Sequence, residues 1–149
     1  MQKHFEAVAL PKYTAEEQTF ATELQEAVGL EPTGMATQIE PIPNEPYRGG
    51  FTDVGDISYI TPTVGITIPT FPQGVALHTW MATASNGTSI GIKGAVTASK
   101  VLALTCIDLL TDAESPKQAK ADFDKRTGGY IYRSPIPDTI KEPSGLPEA

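Results

Sequence analysis

The chain has 149 residues, enough for one domain with a core of its own, and 40% of them are hydrophobic, a globular composition. A net charge of -7 and a pI near 4.7 exclude the basic patch that a nucleic-acid surface needs to neutralise phosphates. One cysteine, Cys106, rules out an internal disulfide and fits a reducing compartment.

The N-terminal MQKHFEAVAL shows no apolar run behind a basic start, and no apolar stretch approaches the roughly 20 residues that span a bilayer. A cytoplasmic protein with neither membrane nor nucleic-acid partner is expected. Phe5 and Val8 share a helical face that Pro11 ends, and His4 reads as a solvated terminal histidine. Thr14 to Val28 reads as a helix. Thr14 and Glu17 form a capping box, Phe20, Ala21, Leu24, Ala27 and Val28 make its apolar face, and Gly29 stops it. Pro32, Pro41, Pro43 and Pro46 then mark a long connection that Gly49-Gly50 closes.

Asp53 is placed to cap a short helical turn, Val54 to Ile60, with Asp56 one turn further along the same face. Val64 to Thr70, β-branched and bounded by prolines, reads as a strand, and Phe71 to His78 as loop. The glycines of Asn86 to Gly94 do not match a phosphate-binding P-loop and predict close approach of the next helix to a neighbour. That helix, about Ile92 to Leu110, is apolar nearly all round and belongs in a core, with Cys106 as a small buried residue. Ser115, Pro116 and Gln118 open a polar surface helix that Gly128 ends, with Ala119, Phe123 and Ala121 inward. Tyr130 to Tyr132 suggest a short strand, and a proline-containing tail follows.

Few residues offer chemistry. His78, Asp53 and Asp56 could hold one metal ion, with water completing its shell. No H-x-x-x-H or C-x-x-C accompanies them, and acidic caps and single histidines are common in structural roles. A Ser58–His78–Asp53 triad lacks the nucleophile-elbow motif. Residue logic alone therefore stops at an α/β piece bearing part of a site.

A resemblance goes further. Thr52-Asp53-Val54-Gly55-Asp56-Ile57-Ser58-Tyr59, Ala76-Leu77-His78-Thr79-Trp80, Thr88-Ser89-Ile90-Gly91-Ile92-Lys93-Gly94 and Ala98-Ser99-Lys100-Val101-Leu102-Ala103-Leu104-Thr105 occur in that order. Together they resemble the C-terminal third of the M20-type metallopeptidases and amidohydrolases, in the branch acting on p-aminobenzoyl-glutamate. The resemblance implies an α/β fold: residues 1–137 as the C-terminal portion of a zinc-peptidase-like catalytic domain, a mixed sheet flanked by helices, and 138–149 as a tail. It implies a divalent metal cofactor (Zn or Mn) in the full-length protein and none in the isolated chain. The substrate would be a small-molecule amide, and a homodimer or an assembly with a partner would form in the full-length protein.

On this reading His78 is a metal ligand, and Asp53 and Asp56 orient the site from behind it. The general base and the remaining ligands are expected upstream, which would leave the isolated chain inactive. The alternative is a non-catalytic binding or assembly module derived from the same fold.

Overall fold

The computed structural model describes residues 1–42, 52–137 and 139–140. Six helices account for the regular structure among them: α1 (Gln2–Val8), α2 (Ala15–Glu26), α3 (Val54–Ser58), α4 (Trp80–Asn86), α5 (Ser89–Thr111) and α6 (Glu114–Thr127). The described residues contain no strand, so the expected α/β fold with a mixed sheet is overturned. Residues 63–70 carry the β-branched sequence of a strand but form no ladder, nor do Tyr130 to Tyr132. Branched side chains favour an extended backbone, while a strand also requires a neighbour to take its N–H and C=O groups. The described residues supply no such neighbour.

The chain divides into two compact units, Met1–Tyr47 with Gly65–Ser115, and Arg48–Val64 with Pro116–Ala149. The first contains nearly all of the buried apolar residues. Its longest element is α5, against which α1 and α4 pack. Ala21 of α2, Met35 and Ile90 form a small cluster, with Tyr13 and Phe20 against it.

Helix α2 begins where its sequence says it should. The Glu17 N–H donates to Thr14 Oγ1 at 3.2 Å and the Thr14 N–H donates to Glu17 Oε2 at 2.7 Å. Its buried face is not the one expected. Glu17, Ala21, Leu24 and Gln25 are buried, whereas Ala27 and Val28 are exposed. Gln25 is wholly buried and acts as a staple. Its Nε2 donates to Thr33 Oγ1 at 3.1 Å and to the Gln73 carbonyl at 2.8 Å, while its Oε1 accepts from Gly34 N–H at 2.7 Å. A residue that looks like helix surface in sequence thus ties two loops to α2. Gly34 is required where it sits, since its φ is +75° and a Cβ there would meet Gln18 Oε1 at 2.5 Å.

Helix α5 is 23 residues long, and by length and composition it could cross a membrane, which corrects the expectation that no stretch approaches that length. In the fold it is covered along one stripe only, at Ile90, Gly91, Gly94, Thr97 and Val101. Small residues dominate that stripe, and the predicted close approach occurs there: a Cβ on Gly94 would meet Thr70 Cγ2 at 2.5 Å and the Pro69 carbonyl oxygen at 3.0 Å. The other faces are open. Ile92, Val96, Leu102, Ile107 and Leu109 are exposed and Leu110 is 86% exposed, so α5 is not the all-round core helix its composition suggests. Cys106 is likewise exposed rather than buried.

In the second unit, Phe123 of α6 is the one buried apolar side chain among the described residues. Ala119 is half-buried and Ala121 exposed. Helix α6 starts just before the expected Ser115 cap. Asp112 caps it, its Oδ1 accepting from the Glu114 N–H at 3.1 Å and its Oδ2 from the Ser115 hydroxyl at 2.7 Å. Most of the expected tail, 138–149, and Gly49-Gly50 lie outside the described residues.

Candidate functional site

His78 stands in the turn that feeds α4, in the first unit. Thr79 caps this helix, its Oγ1 accepting from the Ala82 N–H at 3.4 Å. Periodicity gave no notice of α4, which is only seven residues long. The His78 backbone has φ +61°, the left-handed region that a non-glycine residue seldom occupies. Its side chain is exposed, between Leu77 at 68% and Trp80 at 62% exposure. A histidine on strained backbone with apolar neighbours facing outward has the look of a functional turn, since such strain persists mainly where the surroundings fix it for a purpose.

Asp53 and Asp56 belong to the second unit. Asp53 occupies the N-cap position of α3, but its side chain makes no capping bond, contrary to the expected cap. The Val54 N–H donates instead to Thr52 Oγ1 at 3.4 Å. Asp56 accepts a hydrogen bond from the Tyr132 hydroxyl. Tyr132 is raised above the ordinary tyrosine value, first by burial and then by that carboxylate. The Ser58 hydroxyl donates to the Gly55 carbonyl at 2.6 Å, an ordinary helix-end contact. Among the described residues no group of three or more His, Cys, Asp or Glu side chains is placed to hold a metal ion. With one exposed histidine to offer, the described residues do not by themselves fit the metal centre that the resemblance implies.

Two charged clusters in the first unit escaped the sequence reading. Glu17 accepts from Lys93 Nζ at 2.5 Å and from the Ser89 hydroxyl at 2.5 Å, while also closing the α2 capping box. Lys93 Nζ also donates to the Lys12 carbonyl at 2.9 Å and lies 5.9 Å from the centre of the Tyr13 ring. The Lys93 and Ser89 contacts hold the Glu17 carboxyl down at about 2. Tyr13, whose hydroxyl donates to the Pro69 carbonyl at 3.0 Å, is pushed up to about 12, by burial first and then by Glu17. This cluster locks α2 to the start of α5. A lone lysine within an apolar helix was the available signal for it.

The second cluster is at α1. His4 Nε2 lies 2.7 Å from Asp108 Oδ2, and Lys3 Nζ is 2.8 Å from the same oxygen. Contacts with Lys3 and then His4 lower the Asp108 carboxyl. His4 is therefore a half-buried ion-pair partner joining α1 to α5, not a solvated terminal residue. Neither cluster gathers an open cavity around a reactive group, and both are read as structural.

The chain is related to part of a hydrolase. Over 109 residues it is 34% identical to a p-aminobenzoyl-glutamate hydrolase component of Escherichia coli (strain K12), the second of that enzyme's two lettered polypeptides. The match takes in 72% of this chain and 23% of that protein, so the chain spans about a quarter of the relative's length. No protein-family model matches the chain, and no solved structure does either.

Proposed function

We propose that the chain forms one wall of a metal-dependent amidohydrolase site, in which His78 supplies an imidazole ligand and Asp53 and Asp56 support the site from behind. The substrate class is a small amide bearing a carboxylate, of the p-aminobenzoyl-glutamate kind. The remaining ligands and the general base would come from the larger part of the hydrolase, which the match does not cover. A divalent ion held there would polarise the amide carbonyl and generate the attacking hydroxide. The homodimer or partner contact of such a hydrolase, and its cytoplasmic setting, belong to the same proposal.

The observation that supports the reading most directly is the 34% identity to the hydrolase polypeptide. The presentation of His78 on left-handed backbone in an exposed turn adds to it. Exposure suits a ligand whose partners come from elsewhere in the assembled enzyme. The second reading, a binding or assembly module, draws on the open apolar faces of α5, which offer contact area without chemistry.

The test is a hydrolase in which this chain stands in for the corresponding part of the relative. His78→Ala should lower bound metal and reduce turnover by about 100-fold or more, the scale of a lost ligand or its support. Unchanged metal content and turnover would sink the ligand assignment. Asp53→Asn and Asp56→Asn should act more mildly, with metal retained.

A further inference from the structure

Within the second unit, the end of α3, the last turn of α6 and the segment after it enclose an open cleft of about 560 Å³. Its wall includes Asp56, Tyr59, Arg126, Tyr130, Tyr132 and Arg133. A smaller cleft of about 240 Å³ shares Tyr59 and Arg126 with it. Three tyrosines and two arginines around one concavity is an unusual concentration in a chain with 5 tyrosines and 11 Lys and Arg in 149 residues.

The polar groups there are not equivalent. Arg126 Nε is held 2.9 Å from Asp122 Oδ2, one turn back on α6, so its charge is matched. Arg133 makes no ion pair among the described residues. Asp56 takes the Tyr132 hydroxyl and keeps acceptor capacity, since a carboxylate can accept several hydrogen bonds. Tyr59 and Tyr130 meet edge-on, with centroids 5.4 Å apart at 60°, and each is more than half exposed, so their ring faces are open to a ligand.

We propose that this cleft binds a small aromatic carboxylate that also bears an N–H donor. Its ring would lie on Tyr59 and Tyr130, its carboxylate on the Arg133 guanidinium, and its N–H on Asp56. The planar fork of arginine matches a carboxylate with two parallel N–H donors. The Asp56 charge in the same cleft disfavours a phosphate dianion by like-charge repulsion and favours a monoanion with a donor group. The proposal stands apart from the hydrolase reading, because it uses neither His78 nor a metal.

The test is an NMR titration of the intact chain with p-aminobenzoate, following the tyrosine ring signals. Saturable shifts of Tyr59, Tyr130 and Tyr132 are expected, with a Kd of about 1 mM or tighter, the range of a single charge-assisted contact plus stacking. Arg133→Gln should weaken binding about tenfold, as should replacing p-aminobenzoate with aniline, which lacks the carboxylate. Benzoate, lacking the donor, should lose several-fold, and Tyr130→Leu should remove most of the affinity. His78→Ala should change nothing, and that separates this proposal from the hydrolase reading. Absence of saturation by about 10 mM, equal binding by Arg133→Gln, or tighter binding of phenyl phosphate would overturn it.

Discussion

The two units are stabilised in different ways. The first has eight of the nine buried hydrophobic residues: Phe5, Ala21, Leu24, Met35, Val75, Ala82, Ile90 and Val101, with only Phe123 in the second. It also contains the buried polar staple at Gln25 and the ion pairs at Glu17 and Asp108. The second relies on local contacts: i,i+4 ion pairs along α6, an edge-on tyrosine pair and a tyrosine–carboxylate bond. Buried area and satisfied buried polar groups are what make a unit cooperative, and exposed ion pairs add little. The first unit should therefore respond to single substitutions far more strongly than the second.

The largest effect is expected at Ile90, whose side chain is almost fully buried in the cluster with Ala21 and Met35. Ile90→Ala should cost about 3 kcal/mol in denaturant unfolding. A cost below about 1 kcal/mol would show that the first unit lacks the tight packing ascribed to it. Gln25→Ala comes next, because it strands the Gly34 N–H and the Gln73 carbonyl, each a buried or half-buried partner. About 2 kcal/mol is expected, and Gln25→Leu should not rescue it.

Glu17 adds a pH dependence. Its folded-state value, about 2, lies below the ordinary 4.5. Its contribution is therefore complete above about 4.5 and is lost as the pH falls through that value toward 2. With a side chain only 10% exposed, the contribution is on the order of 2 kcal/mol. Unfolding free energies of the parent and Glu17→Gln should differ most at neutral pH and converge toward pH 2. Parallel curves would show that the Lys93 and Ser89 contacts do not hold the charge.

In the second unit Phe123→Ala should cost about 1–2 kcal/mol, less than a typical core phenylalanine, because few buried neighbours surround it. The smallest effect is reserved for Lys120→Ala. It breaks the exposed pair with Asp124 and should change stability by less than about 0.5 kcal/mol. If Lys120→Ala rivalled Ile90→Ala, the contrast between the units would be lost.

The helix ends were legible in sequence because they depend on a few adjacent residues. The Thr14–Glu17 box and the stop at Gly29, with φ +73°, follow from side chains within one turn of the backbone groups they serve. The short α3 and the close approach at Gly94 were legible for the same reason. The strand reading of 64–70 failed because extended preference is local while ladder pairing is not. Gln25 escaped because amide side chains are usually at the surface, and its three partners at Thr33, Gly34 and Gln73 are brought together only by the fold.

The candidate site divides in the same way. Sequence alone picked out His78, and it could read Asp53 and Asp56 as one acidic turn. The left-handed backbone of His78 and its exposure beside Trp80 emerge only in the tertiary structure. Sequence also determined that α5 would be long and apolar, since composition and period fix that much. Which stripe of it is covered was decided by the close approach at Gly94 and by the ion pairs of Lys93 and Asp108, contacts between residues far apart in the chain. Local chemistry writes itself into neighbouring residues, whereas burial is a property of what the rest of the chain brings alongside.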